Sequence, residues 1–208
     1  MTRSDSGKPD FSFELAAQAQ GYSLICGIDE AGRGPWAGPV VAAAVILDPQ
    51  NIPAGLNDSK KLTEAKREKL FAEIIASAKV GIGIGEEARI DRDNILATTL
   101  WAMAEAVRNL DTPLHFALVD GNRAPQLSCG VQTIVSGDAR CLSIAAASII
   151  AKVTRDRIMV ALDREFPAYG FARHKGYGTA FHNAALQKFG PCIHHRRSFA
   201  PIARLLAR

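Results

Sequence analysis

The sequence predicts an α/β fold, and three observations carry the prediction. Five apolar runs of strand length lie along the 208-residue chain, at 23–28, 38–47, 80–85, 115–119 and 131–135. Segments with helical apolar spacing fall among them and after the last. Carboxylates stand where the first and fourth runs end, at Asp29-Glu30 and Asp120, and another, Asp138, opens the longest helical segment.

Composition sets the bounds. A hydrophobic content of 48% supports one domain with a real core. A net charge of +4 and a pI near 9.0 allow a nucleic-acid or phosphate partner without requiring one. Cys26, Cys129, Cys141 and Cys192 show no C-x-x-C spacing and read as small core residues of a reducing compartment. Cys192, His194 and His195 lie close together but lack a fourth zinc ligand at a usual spacing. The polar N-terminus has no signal-peptide core, and no apolar run approaches the length of a membrane span. The expectation is a soluble, cytoplasmic protein. With no obvious coiled coil or exposed apolar helix, a monomer is expected.

In chain order, residues 1–9 read as a disordered tail and 10–208 as the folded domain. Phe11–Gln20 predicts a short helix stopped by Gly21. The first two strands, joined through Pro35-Trp36-Ala37-Gly38-Pro39, predict an antiparallel hairpin. Thr63 is the expected N-cap of a helix whose inner face is Leu70, Phe71, Ile74, Ile75 and Ala78. Before it, Lys60 and Lys61 are either solvated or placed to hold a phosphate. Val80–Gly85 alternates strictly, giving a strand with one glycine face suited to close packing; it lacks a full G-x-G-x-x-G and is not followed by an apolar helix. Leu96, Leu100, Met103, Val107 and Leu110, spaced three or four apart, predict one buried helix face. A long helix is expected from Leu142 to about Glu165, with Ala145, Ala146, Ala147 and Ser148 packing closely on the sheet; Asp138 ahead of it is either its N-cap or a functional acid. The last forty residues turn glycine-, aromatic- and base-rich, with two short helices near 179–189 and 201–206. Aromatic residues interleaved with bases suit a nucleic-acid groove; the alternative is a solvated basic loop with Tyr177 packed inward.

Acids at strand ends converge on one crevice when the strands are neighbours. Asp29, Glu30, Asp120 and Asp138 brought together would repel one another without cations, and their oxygens suit Mg2+ or Mn2+. Two such ions about 4 Å apart serve phosphodiester cleavage. Adjacent strand residues face opposite ways, so Asp29 and Glu30 both point inward only if the strand ends or bulges there. Gly32 and Gly34 leave backbone N–H groups accessible to a ligand.

In order along the chain, Asp29-Glu30-Ala31-Gly32-Arg33-Gly34, the run Gly38–Ala44, Asp58-Ser59-Lys60-Lys61-Leu62, Val119-Asp120-Gly121, Gly137-Asp138, the run Ile144–Val153, His174-Lys175-Gly176-Tyr177-Gly178-Thr179 and His195-Arg196-Arg197-Ser198-Phe199 resemble bacterial ribonuclease HII. The match runs from about Tyr22 to Pro201. The resemblance implies a ribonuclease H-like five-stranded mixed sheet flanked by helices, with a small helical substrate-binding extension from about 166 to 208. It implies an endonuclease that cuts RNA in RNA–DNA hybrids and cuts 5′ to single ribonucleotides in duplex DNA, leaving a 3′-hydroxyl and a 5′-phosphate. Asp29, Glu30, Asp120 and Asp138 match the family's metal-binding carboxylates. Gly32, Arg33 and Gly34 match the loop reading the ribose 2′-hydroxyl. Tyr177 matches the tyrosine that stacks on the sugar after the junction, and Lys60 and Lys152 match phosphate contacts. The chain is short after Pro201, so the longer C-terminal peptide of some relatives is expected to be absent, and the short leading tail leads to the expectation that the extra N-terminal domain of ribonuclease HIII is absent too. Two other readings remain: a resolvase or transposase acting on DNA alone, for which a 2′-hydroxyl reader would be useless, and a hybrid-binding module without chemistry, which the four acids disfavour.

Overall fold

The computed structural model describes residues 8–207. Of the expected tail, 1–7 lie outside the described residues; Pro9 is buried and Asp10 bridges to Cys141. A short helix follows, α1 (Ser12–Gln18), then strands β1 (Ile25–Ala31) and β2 (Val40–Ile46). Helix α2 (Glu64–Ser77) precedes β3 (Lys79–Gly85), α3 (Glu87–Asp93) and α4 (Ile95–Arg108). Strands β4 (Phe116–Asp120) and β5 (Gly130–Ile134) lead to the long helix α5 (Leu142–Glu165), and α6 (Phe171–His174), α7 (Ala180–Phe189) and α8 (Ala200–Leu206) finish the chain.

The five strands form one mixed sheet in the order β3-β2-β1-β4-β5. β2 pairs antiparallel with β1 and with β3; β4 pairs parallel with β1 and with β5. Side-chain alternation gives the sheet two faces. On one, Ala43 and Val45 pack with Leu70 and Ile74 of α2 and Ala146, Ile149 and Ile150 of α5. Ile25, Phe116 and Leu118 continue that face under Ile144. On the other, Cys26, Ile28, Ala42, Ala44, Ala117 and Val119 meet Ala102, Met103 and Ala106 of α4.

Two close approaches fix this layering. A Cβ on Gly27 would stand 2.1 Å from the Ser143 backbone, so α5 starts directly against β1. Cβ atoms on Gly81 and Gly83 would each stand 2.0 Å from a backbone oxygen of α4, those of Ala106 and Ala102. The glycine face of β3 is therefore the seat of α4. Of the expected row, Met103 is buried on α4, Leu110 is buried just past its end, and Leu100 and Val107 are half-buried against the same core, while Leu96 is exposed; the closest approach is made by Thr98, Thr99, Ala102 and Ala106 beside that row. Small residues face small residues because only they let two backbones come this close.

Other expectations resolve locally. Thr63 caps α2, accepting from the Lys66 amide, but Ile75 points to solvent. Asp138 does not cap α5. It sits in a 3-10 turn, Gly137–Ala139, and Cys141 occupies the N-cap position. The buried carboxylate of Glu14 on α1 accepts from the Ser143 amide at 2.8 Å, supplying the cap from elsewhere in the chain.

Candidate active site

β1 and β4 run parallel, and their last paired residues are Ile28 and Val119. One residue further on each strand come Asp29 and Asp120, so the sheet delivers two carboxylates side by side. Both belong to the face covered by α5, as their i−2 and i−4 neighbours Gly27, Ile25, Leu118 and Phe116 do. The 3-10 turn before α5 brings the third, Asp138. One carboxylate oxygen from each of Asp29, Asp120 and Asp138 lies within 4.8 Å of the other two.

Each acid is held. Asp29 is 4% exposed, accepts the Glu30 amide at 2.7 Å and has the Ser148 hydroxyl of α5 beside it, which favours its charged form. Ser148 bonds Ser59, 2.8 Å away, tying the Asp58–Leu62 loop to the site. Asp120 accepts the Gly137 amide at 2.6 Å. Asp138 pairs with Lys60 at 3.5 Å. Burial pushes Asp29 well above the usual carboxylate range, with Glu30 and Asp120 adding repulsion. Burial also raises Asp138, with Asp120 and Asp58 adding to it and Lys60 opposing.

Glu30 stands outside the three-carboxylate group. β1 stays regular through Ala31, pairing Asp29 with Ala43 and Glu30 with Ala42 on β2, so the two acids alternate rather than converge. Glu30 is half-buried and pairs with Arg33 at 3.3 Å. Burial raises its pKa, and Arg33 pulls it back.

Beyond β1 the chain turns at Gly32, whose φ is +96°. A Cβ there would meet Arg155 Nε at 2.0 Å and the Pro39 carbonyl at 2.8 Å, so glycine is required twice over. Two buried arginines shape this loop from beneath. Arg196, 0% exposed, donates to the carbonyls of Gly38 at 2.9 Å, Arg33 at 3.0 Å and Gly32 at 2.6 Å. Arg155 donates to the carbonyls of Pro39, Lys175 and Ala37 at 2.9, 3.0 and 3.1 Å. Burial lowers both guanidinium pKa values, and Arg155 lowers that of Arg196 further, but both stay charged at neutral pH. With its carbonyls drawn inward, the loop leaves the amides of Gly32, Arg33 and Gly34 without a hydrogen bond among the described residues. They are donors in wait beside a positive charge.

The Tyr177 ring lies against this loop. A Cβ on Gly34 would be 3.7 Å from Tyr177 Cε1, and Tyr177 is 49% exposed. It is not packed inward. Lys60 stands at the cluster with most of its side chain exposed. Lys152 lies one turn after Ser148 on α5, its ammonium held by Asp156 at 2.7 Å, and burial lowers its pKa. Arg155 and His182 escape the reading of the sequence, Ser148 reads there only as a packing residue, and Ser59, His195 and Arg196 carry no buried role beyond the motifs they belong to; nothing local shows which groups these side chains satisfy.

The sequence matches the ribonuclease HII family over residues 26–202. It is 60% identical to the ribonuclease HII of Xanthobacter autotrophicus over 193 residues, 93% of this chain and 78% of that protein. With the ribonuclease HII of Rhizobium meliloti it shares 56% identity over 198 residues, 95% of this chain and 92% of that one. The chain belongs to the ribonuclease HII family. The fold agrees: the ribonuclease H2 of Pyrococcus horikoshii superposes with a TM-score of 0.75 at 27% identity, covering 89% of this chain and 98% of that one. The chain is thus a metal-dependent nuclease, a ribonuclease H acting on RNA–DNA hybrids. Its donor set fits a hard divalent cation: three carboxylates, oxygen only, close enough to share one ion and too close to be comfortable without one. Among the described residues, no helix is long and apolar enough to cross a membrane.

Proposed function

We propose that the chain nicks duplex DNA on the 5′ side of a single embedded ribonucleotide, as well as cutting the RNA strand of longer hybrids, and leaves a 3′-hydroxyl and a 5′-phosphate. The observation that carries this reading is the approach of the exposed Tyr177 ring to Gly34, on the loop that directly continues the strand bearing Asp29. The unpaired amides of Gly32, Arg33 and Gly34 suit a sugar hydroxyl, the group that separates RNA from DNA. Opposite them, the Tyr177 ring offers an apolar face to the next sugar, which a deoxyribose fits better than a ribose.

Asp29, Asp120 and Asp138 would hold Mg2+ or Mn2+, with Glu30 at the border of the cluster as the fourth carboxylate. When bound, a pair of such ions supplies an activated water and neutralises the charge that builds on the leaving 3′ oxygen. The chain's own groups do the rest. The Glu30 amide fixes Asp29, with Ser148 beside it; the Gly137 amide fixes Asp120. Lys60, now on Asp138, is free to swing to a phosphate, since most of its side chain is exposed. Lys152 adds positive charge one turn along α5. The same reading makes the protein a cytoplasmic monomer that removes ribonucleotides from DNA.

The test uses three labelled duplexes: DNA with one ribonucleotide, all-DNA, and a long RNA–DNA hybrid, each with Mg2+, with Mn2+ and with chelator. A metal-dependent nick 5′ to the lone ribonucleotide, absent from all-DNA, is expected. Cleavage of the long hybrid alone would refute the roles of the Gly32–Gly34 loop and Tyr177. Asp29→Asn and Asp138→Asn should abolish cleavage while hybrid binding persists; full activity in either would remove the metal assignment.

A further inference from the structure

Beneath Tyr177 lies a row of buried imidazoles that the chemistry above does not use. His182 opens the first turn of α7 and is 0% exposed; His195 is 1% exposed. His182 Nδ1 lies 2.9 Å from the Tyr177 carbonyl. A carbonyl only accepts, so His182 carries its proton on Nδ1 and leaves Nε2 bare. His195 Nδ1 faces three atoms of Cys192: the amide at 2.9 Å, the thiol at 3.2 Å and the carbonyl at 3.4 Å. The amide is nearest and only donates, which assigns His195 a bare Nδ1 and a proton on Nε2. The two Nε2 atoms are 3.0 Å apart, one a donor and the other an acceptor. The chain of bonds therefore runs one way, from the Cys192 amide through His195 and His182 to the Tyr177 carbonyl, with both rings neutral. Burial favours this, pulling both histidines down to about 4.

The bond lands on a turn that needs holding. Lys175 and Gly176, just before Tyr177, have φ values of 51° and 82°, both left-handed. The Tyr177 amide donates to the His174 carbonyl at 2.9 Å, and the Thr179 amide reaches the Tyr177 carbonyl at 2.8 Å. His174 stacks on His182 with ring centres 4.5 Å apart. Arg196, next to His195 in the chain, braces the Gly32 and Arg33 carbonyls. One dipeptide, His195-Arg196, thus supports both the Tyr177 turn and the Gly32–Gly34 loop.

We propose that His182, aligned by His195, is a positioning residue for Tyr177: it pins the Tyr177 carbonyl so that the exposed ring faces Gly34 at a fixed gap, and so sets preference for a ribonucleotide followed by DNA. The inference rests on the role given to Tyr177 above.

The experiment compares kcat/KM on the single-ribonucleotide duplex with kcat/KM on the long hybrid for the full-length wild type, Y177A, H182A, H182N, H182F and the double variant Y177A/H182A. H182A should lower the ratio about tenfold, in the same direction as Y177A. H182N should restore most of it, because an asparagine amide can donate to the Tyr177 carbonyl from near the Nδ1 position. The double variant should fall no lower than Y177A alone, since both act through one ring. H182F fills the ring's space without a donor and should behave as H182A, which keeps the test alive if H182A does not fold. A wild-type ratio in folded H182A or H182F would overturn the inference, as would losses that multiply in the double variant. A wild-type ratio in Y177A itself would instead overturn the reading of Tyr177, a pattern separate from a shifted Y177A with an unshifted H182A.

Discussion

Asn in place of Asp29 should make the metal-free protein more stable while destroying its activity. Three carboxylate oxygens lie within 4.8 Å of one another. Two unit charges at that distance repel by about 3.5 kcal/mol at an effective dielectric constant of 20. Asp29 faces two such neighbours, but Lys60 and partial proton uptake offset much of the repulsion. A net gain of about 1–3 kcal/mol at neutral pH is the expectation. Asparagine Oδ1 can still accept from the Glu30 amide and stay beside the Ser148 hydroxyl, so no bond need be lost. In a domain of this size the gain corresponds to a rise in melting temperature of roughly 2–10 °C. The assay is thermal unfolding by circular dichroism in chelator at pH 7.5, repeated with Mg2+ or Mn2+ and again at pH 5. The metal should raise the midpoint of the wild type more than that of the variant. The pH arm has a definite sign. Asp29 has its folded pKa raised, so as pH falls from neutral the native state takes up protons before the unfolded chain does, and the wild type gains stability the variant cannot. The gap between them should narrow at pH 5. A variant less stable than wild type in chelator at pH 7.5 would refute the reasoning, because it would mean the site stabilises the Asp29 charge rather than straining against it.

Gly83→Ala should cost about 1–3 kcal/mol, because its Cβ would meet the Ala102 carbonyl at 2.0 Å and push α4 off the sheet; an unchanged denaturant midpoint would contradict the packing described. Arg196→Lys should lose stability by about 1–3 kcal/mol for each carbonyl of Gly32, Arg33 and Gly38 that a single ammonium fails to reach, and cleavage should fall with it, as thermal unfolding and kinetics would register. His182 and His195 have folded pKa values lowered to about 4, so the unfolded chain binds protons first as pH falls. Their contribution is fully present above about pH 6.5 and erodes by about 1.4 kcal/mol per pH unit for each histidine down to about pH 4. The stability difference between wild type and His182→Asn across that window measures it, and a difference independent of pH would count against the neutral pair.

The strands were legible because apolar runs at β1, β2, β4 and β5 have little else to be, and their observed ends lie within two residues of those read from the sequence, except that β1 continues three residues further, through Asp29 and Glu30 to Ala31. Helix α3 escaped notice because Glu87–Asp93 buries only Ile90 and carries no apolar stripe. The face of α4 was read in part: Met103 and Leu110 are buried with Leu100 and Val107 beside them, but the alanines that sit on the glycines of β3 carry no stripe to announce them. Asp29, Asp120 and Asp138 could be read as a site because a carboxylate at the end of a buried strand demands a reason. That Glu30 would stand apart from the three-oxygen group, yet near enough to repel Asp29, depended on whether β1 stayed regular, which no local residue decides. The buried roles of His195 and Arg196 were beyond reach for a similar cause, although both residues stand in a motif the sequence singled out. A basic loop looks solvated until the carbonyls it satisfies, more than 150 positions earlier, are in place.

That distance has a consequence for the order in which the protein comes into being. Arg196 and Gly32 are 164 residues apart in sequence, and a chain is made from its N-terminus. A nascent chain of about 190 residues already holds every carboxylate of the cluster, but neither His195 nor Arg196 has yet been added to hold the Tyr177 turn and the Gly32–Gly34 loop. On the function proposed above, a prematurely ended chain would carry the carboxylates while lacking the supports of the elements proposed to choose the cleavage point.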